Sequence, residues 1–182
     1  MTREAIIRNL LESLGEDPNR EGLRDTPKRV SKAWAEWTSG YELEAASVLK
    51  CFEDGGEKYD EMLWERNLPF YSHCEHHLAP FFGTITIAYI PNGRVAGLSK
   101  FKRVADIFAK RLQVQERLTV QIADAIQKNL KPRGCGVIVR ARHLCMESRG
   151  VACQGQETLS TALRGNFKTS AKVREEFLTL AR

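Results

Sequence analysis

The 182-residue chain holds no apolar run long enough to span a bilayer, no charged-then-apolar leader and no obvious anchor at its end. A cytoplasmic protein with no membrane partner is therefore the expectation. Cys-x-x-Cys occurs nowhere, and the five cysteines are an odd number without regular spacing. A disulfide framework is disfavoured, and thiols near histidines point instead to metal or catalysis. Basic blocks are missing, as is any aromatic stripe interleaved with cations. The net charge of +5 and pI ≈ 9.0 thus favour an anionic partner without selecting nucleic acid. Internal repeats and low-complexity linkers are also lacking, and the length suits one good core with a smaller appended unit.

Residues Thr2 to Leu14 carry Ile6, Ile7, Leu10, Leu11 and Leu14 at helical spacing, and Gly15 follows as a stop. Thr26-Pro27 reads as an N-cap followed by proline in a first turn, and Val30, Ala33, Trp34 and Trp37 supply that helix's apolar face. Residues 1–56 are thus expected to form a helical arm, with a domain over 57–182. Phe81 to Ile90 has strand composition and ends at the turn Pro91-Asn92-Gly93. Helices are expected over Lys100–Arg111 and Gln115–Asn129, strands over Gly136–Arg142 and Thr158–Leu163, and a closing helix over Ala171–Leu180. The class is α+β, with strands in pairs around a helical pair.

Histidine is scarce, and all four residues fall in two places: Ser72-His73-Cys74-Glu75-His76-His77 and His143-Leu144-Cys145. Thiolate and imidazole together suit Zn²⁺, and the two-residue gap between Cys74 and His77 brings both to one ion. Cys145 as third ligand leaves a position open for water, as in catalytic sites; structural sites are closed by four protein ligands. Iron remains compatible with the same donors. His76, on the same turn, points about 100° away from His77 and is a candidate general acid or base; the plainer alternative is a hydrogen bond to a loop. Cys51, Cys135 and Cys153 read as packing or surface residues, with Cys153 near enough in sequence to be a spare ligand. His73-Cys74-Glu75 matches half of the zinc deaminase signature, but the missing Cys-x-x-Cys rules that class out.

Gly97-Leu98-Ser99-Lys100 opens a helix with Lys102 and Arg103 in its first turn, a place where N–H groups and cations converge on phosphate. Arg29, Lys32 and Arg149 are further cationic candidates. In Gln113-Val114-Gln115-Glu116-Arg117, the Glu116 carboxylate is able to accept from guanine's N1–H and exocyclic amine together, and adenine would leave it unpaired. A glutamate at a helix start also serves to complement the dipole, and spacing alone favours that simpler role.

Taken together these motifs resemble the GTP cyclohydrolase I family. The resemblance runs from about Leu14 to Phe177 through Glu16-Asp17-Pro18, Arg20-Glu21-Gly22-Leu23, Thr26-Pro27-Lys28-Arg29-Val30, Cys74-Glu75-His76-His77, Gly97-Leu98-Ser99-Lys100, Gln113 to Leu118, and His143 to Met146 with Arg149-Gly150-Val151. It implies the tunnelling fold: a four-stranded antiparallel sheet with two helices on one face, after an N-terminal helical arm. It also implies a homodecamer with active sites at subunit interfaces, where Arg29 and Lys32 serve a neighbour's site. Position by position, Cys74, His77 and Cys145 match the family's zinc ligands, His76 its acid/base histidine and His143 a second catalytic histidine. Gln115 and Glu116 match the guanine readers, and Ser99, Lys100, Arg103 and Arg149 the ribose and triphosphate contacts. Residues 152–160 depart from the Ser/Thr-rich stretch of relatives, and from the short N-terminus the regulatory extension of some relatives is not expected here.

The implied activity is zinc-dependent conversion of GTP to 7,8-dihydroneopterin triphosphate with loss of formate. His76 would protonate N7 as C8 is attacked, and His143 and Ser99 would assist ribose opening. Rival readings are another tunnelling-fold pterin or deazapurine enzyme, and a structural zinc module binding nucleic acid. The first rivals call for three histidine ligands or a nucleophilic cysteine without zinc, and the second for a closed site with steep salt dependence.

Overall fold

Periodicity and turn chemistry place most of the elements, and pairing at a distance sets their order. The computed structural model describes residues 1–53 and 56–181. The chain divides into two compact units, Met1–Ser39 and Gly40–Arg182. Residues 40–53 group with the second unit, and residues 54 and 55 lie outside the described residues.

In the first unit, α1 (Arg3–Ser13) is capped by Thr2, whose hydroxyl accepts from the Ala5 N–H at 3.3 Å. Ile7 is its buried residue. The second helix, α2, spans Thr26–Trp37 with Pro27 in its first turn. Thr26 is the first helical residue and not the cap: its N–H donates to the Leu23 carbonyl, which winds the chain one residue earlier. Asp25 takes the cap position, but its carboxylate is drawn to Arg29 at 3.0 Å and makes no cap bond.

The second unit contains α3 (Ala45–Val48), β1 (Cys51–Phe52), β2 (Leu63–Cys74), β3 (Pro80–Ile90), β4 (Val95–Ala96), α4 (Ser99–Ala109), β5 (Leu112–Gln113), α5 (Gln115–Leu130), β6 (Gly134–His143), α6 (Leu144–Glu147), β7 (Thr158–Gly165), α7 (Asn166–Thr169) and α8 (Ala171–Leu180). The class is mixed α+β, as expected. The main sheet has five strands in the order β5-β2-β3-β6-β7, where four were expected. The addition is the two-residue β5, which pairs parallel to the end of β2 through His73↔Leu112 and Cys74↔Gln113; the other neighbours are antiparallel. A separate ribbon joins β1 to β4.

Alternation along the strands sends Phe70, Phe81, Ile85, Ile87, Val137 and Val139 into one core with Phe101 of α4 and Leu118, Ile122 and Ile126 of α5. Each such large side chain, fully buried, contributes about 1.5–3 kcal/mol. The opposite face carries Ala88 and Ile138, covered by Phe167 of α7 and Phe177 of α8. Gly136 is what admits them: a Cβ there would lie 2.7–2.8 Å from both rings.

The sheet order decides where the chemistry gathers. β2 is antiparallel to β3, and β3 to β6, so β2 and β6 run the same way. Their C-terminal ends, Cys74 and His143-Leu144-Cys145, therefore lie at one end of the sheet with the start of α5 beside them.

Candidate metal centre

Cys74 ends β2, and residues 75–77 form a turn, where a helical turn was expected. The Leu78 N–H donates to the Cys74 carbonyl at 2.8 Å, and the Cys74 N–H to the Ala79 carbonyl at 2.9 Å. The closure needs Leu78 in the left-handed region, φ 53, an uncommon place for a branched side chain. Glu75 clamps the turn to α5 through a paired contact with Arg117 at 2.6 and 2.8 Å. That guanidinium holds the Glu75 carboxyl below the usual carboxylate range.

On the other side α6 continues β6 and carries Cys145. Arg142 grips Glu147 with two bonds, 2.9 and 2.6 Å, and so pins the short helix back on the strand it leaves. The ligand atoms of Cys74, His77 and Cys145 come within 4.8 Å of one another. Zn–S near 2.3 Å and Zn–N near 2.0–2.1 Å give a tetrahedral S···N edge of roughly 3.6 Å. Cys74 Sγ and His77 Nδ1 lie 3.8 Å apart, so the donors fit a zinc ion in type and in spacing. Burial pushes the Cys145 thiol up, and the nearby Cys74 adds to it. A bound cation reverses this, because it needs the thiolates. His76 Nδ1 is 3.7 Å from the Cys74 sulfur, yet His76 is no member of the three-ligand group and its side chain is 62% exposed.

A cavity of about 290 Å³ opens here and brings together Cys74, His76, His77, Glu116, His143 and Cys145, with Gln115 also at its wall. Met146, Val114 and Thr158 supply apolar surface. Glu116 is exposed at the start of α5. Burial depresses the His143 pKa, with the Glu116 charge working in the opposite sense. Gln115 is 2% exposed and its amide is fully engaged within the chain. Ser99, Lys100, Arg103 and Arg149 are not among the residues lining this cavity. Ser99 and Lys100 begin α4 and Arg103 follows, exposed, one turn on. Arg149 is exposed and donates to the Cys145 carbonyl at 3.4 Å. Arg29 and Lys32 lie on α2 in the first unit, with Arg29 paired to Asp25.

Three features escaped the sequence reading. Phe81 stacks on His143 with centroids 4.7 Å apart and an interplanar angle of 3°. The buried Thr119 and the half-buried Ser160 form a hydroxyl pair behind Gln115, at 2.7 Å. Gln113, 1% exposed, keeps Oε1 without a partner among the described residues while its Nε2 donates to Phe108 and Gln121. The first two depend on partners distant in sequence, and Gln113 on the way β5 sits between α4 and α5; none has a local signature.

The family model described as GTP cyclohydrolase I matches residues 3–182. The chain is 58% identical over 175 residues to GTP cyclohydrolase 1 of Janthinobacterium sp. (strain Marseille), covering 96% of this chain and 88% of that one. It is 59% identical over 172 residues to GTP cyclohydrolase 1 of Nitrosospira multiformis, covering 94% and 90%. Among solved structures, the apo archaeosine synthase QueF-Like matches with TM-score 0.46 and 21% identity, over 57% of this chain and 93% of that one. A match of this extent, on a chain whose Cys74, His77 and Cys145 meet at one end of its sheet, has one reading: the chain belongs to the GTP cyclohydrolase I family.

Proposed function

We infer that this protein hydrolyses and rearranges GTP to 7,8-dihydroneopterin triphosphate with release of formate, an activity of pterin and folate biosynthesis. The observation that carries this reading is the meeting of Cys74, His77 and Cys145 within 4.8 Å in a cavity that also holds His76, Glu116 and His143. Cys74, His77 and Cys145 would hold Zn²⁺, which would supply Lewis acidity and lower the pKa of water toward neutrality. His76, beside the ligands and open to solvent, delivers a proton to N7 as the imidazole ring opens. Glu116 accepts from the guanine N1–H and exocyclic amine and sets the purine's orientation. His143 moves protons during ribose opening, helped by Ser99.

The triphosphate asks for cations, and none of Ser99, Lys100, Arg103 and Arg149 lines the cavity. On our reading a neighbouring subunit brings Ser99, Lys100 and Arg103 to it, with Arg29 and Lys32 also serving a neighbour, and the sites lie at subunit interfaces. Two open sheet edges support this. Among the described residues, β7 pairs with β6 alone and β2 meets β5 only at His73 and Cys74. Joining β7 of one copy to β2 of the next removes both edges and closes the sheets into a ring of the tunnelling type. The assembly is a homodecamer in which residues 57–182 carry the chemistry and 1–56 form the helical arm. No helix among the described residues is long and apolar enough to cross a membrane; we place the protein in the cytoplasm, without a nucleic-acid or membrane partner.

The test is incubation of zinc-loaded protein with GTP, measuring formate and the fluorescent pterin formed on oxidation. Equimolar appearance of both is expected. Tight binding of nucleic acid without turnover would overturn the reading in favour of a structural zinc module.

A further inference from the structure

Gln115 is the first residue of α5, and four groups surround its buried amide. Nε2 lies 3.0 Å from the Val139 carbonyl, 2.9 Å from the Thr158 carbonyl and 3.1 Å from Ser160 Oγ. Oε1 lies 2.8 Å from His143 Nε2. Backbone carbonyls only accept, so the end facing Val139 and Thr158 must be the NH₂ group. The opposite end is then the carbonyl oxygen, which also only accepts. His143 Nε2 therefore carries the proton of this contact.

The hydroxyls behind the amide agree. Thr119 Oγ1 donates to the Gln115 backbone carbonyl at 2.7 Å and must accept from Ser160 Oγ, also at 2.7 Å. With its proton so used, Ser160 faces Gln115 as an acceptor. Main-chain carbonyls thus fix the amide at Val139 and Thr158 and the Thr119 hydroxyl at Gln115, and the other protons follow from these; with two hydrogens for three acceptors, the NH₂ group shares one of them. A neutral imidazole has one N–H, so with Nε2 protonated its lone pair is on Nδ1. Phe81 stacks on the ring and holds its plane. Nδ1 has no hydrogen-bond partner among the described residues, and the ring borders the cavity that holds the metal ligands.

We propose that Gln115 is a positioning residue: it holds His143 as the Nε2–H tautomer, so that Nδ1 is the nitrogen that exchanges a proton with the substrate. This rests on reading His143 as a catalytic group, and it moves the Gln115 side chain from contact with the base to control of that histidine. Guanine recognition by a side chain is left to Glu116.

The test uses the zinc-loaded full chain labelled with ¹⁵N-histidine, in solid-state ¹⁵N spectra where the His143→Asn variant identifies the His143 signals. A pyrrole-like Nε2 and a pyridine-like Nδ1 are expected; the reverse pattern overturns the proposal. Gln115→Met keeps the side chain's bulk and removes its hydrogen bonds. Its His143 spectrum should become a mixture of tautomers, with kcat reduced roughly 10- to 100-fold and KM for GTP nearly unchanged. A raised KM with kcat and the spectrum unchanged would return Gln115 to base reading and overturn the proposal. A second pair is independent of Gln115 and of its fold. Asparagine places its amide near Nδ1, and glutamine near Nε2, so His143→Asn should retain at least about 10-fold more turnover than His143→Gln at equal zinc content; equal or reversed order overturns it. Full turnover in His143→Ala would instead remove His143 from catalysis, and would do so whatever tautomer the spectra record.

Discussion

The two walls of the metal cavity are built on opposite plans. The Glu75-His76-His77 turn is open to water, closed by a left-handed leucine and tied down by an exposed ion pair. On the facing wall Gln115 is buried, tied by uncharged hydrogen bonds to two main-chain carbonyls and to the half-buried His143 ring. Exposed ion pairs contribute little and are screened by salt, whereas a buried hydrogen bond leaves an unsatisfied group when one partner is removed. The open wall is suited to admitting the substrate and delivering a proton, and the buried wall to holding a ring in one orientation. One site thus pairs an adaptable half with a preorganised half.

The strongest way to break this comparison is to remove the ion that joins the halves. Cys145→Ser should lose bound zinc and turnover together; full turnover with no metal, measured by elemental analysis beside formate release, would undo the ligand assignment. Next, Glu116→Gln leaves one acceptor for two donors, so KM for GTP should rise about 10-fold or more while thermal unfolding stays put. Unchanged KM would remove Glu116 from purine recognition. On the facing wall, Thr119→Val leaves the Ser160 hydroxyl proton without its acceptor, at a cost of about 1–3 kcal/mol in denaturant unfolding. A neutral result would show that wall to be as loosely held as its partner.

On the open wall, Glu75→Gln removes the Arg117 contact, and the loss of stability should shrink as salt is added. The sign with pH follows from the lowered Glu75 pKa. The contribution is present above the ordinary carboxylate value and is lost as pH falls through the lowered one, so variant and parent should converge in acid. Divergence in acid would contradict the clamp. The smallest effect is expected for Leu78→Gly, where relief of the left-handed backbone, about 1 kcal/mol, is offset by glycine's extra chain entropy. A loss well beyond 1 kcal/mol in the assembled protein would show that the leucine side chain has a contact in the oligomer.

What was legible in the sequence followed from scarcity and period. Four histidines confined to two cysteine-bearing motifs pointed to the three residues the fold brings together. The amphipathic runs gave α4 and α5 to within a few residues. Most of β2 escaped notice because its alternation is broken: Pro69 sits within it, and the register shifts between Glu65 and Leu68, with Asn67 at φ 56. β5 is two residues long and exists only by pairing with the end of β2. The Gln115 network was invisible for a different reason. A glutamine at a helix start has no local pattern that separates ligand contact from a bond to strands arriving much later in the chain.

The shared direction of β2 and β6 has a consequence for how the enzyme is made. While the ribosome has released only the first of these strands, the growing polypeptide presents Cys74 and His77 as a two-toothed hook, too weak to keep a transition metal against cellular competitors. Retention waits until the later strand has slotted in beyond β3 and delivered Cys145. The three-donor set is thereby a property of the finished sheet, and a fully held ion requires β6 in place against β3.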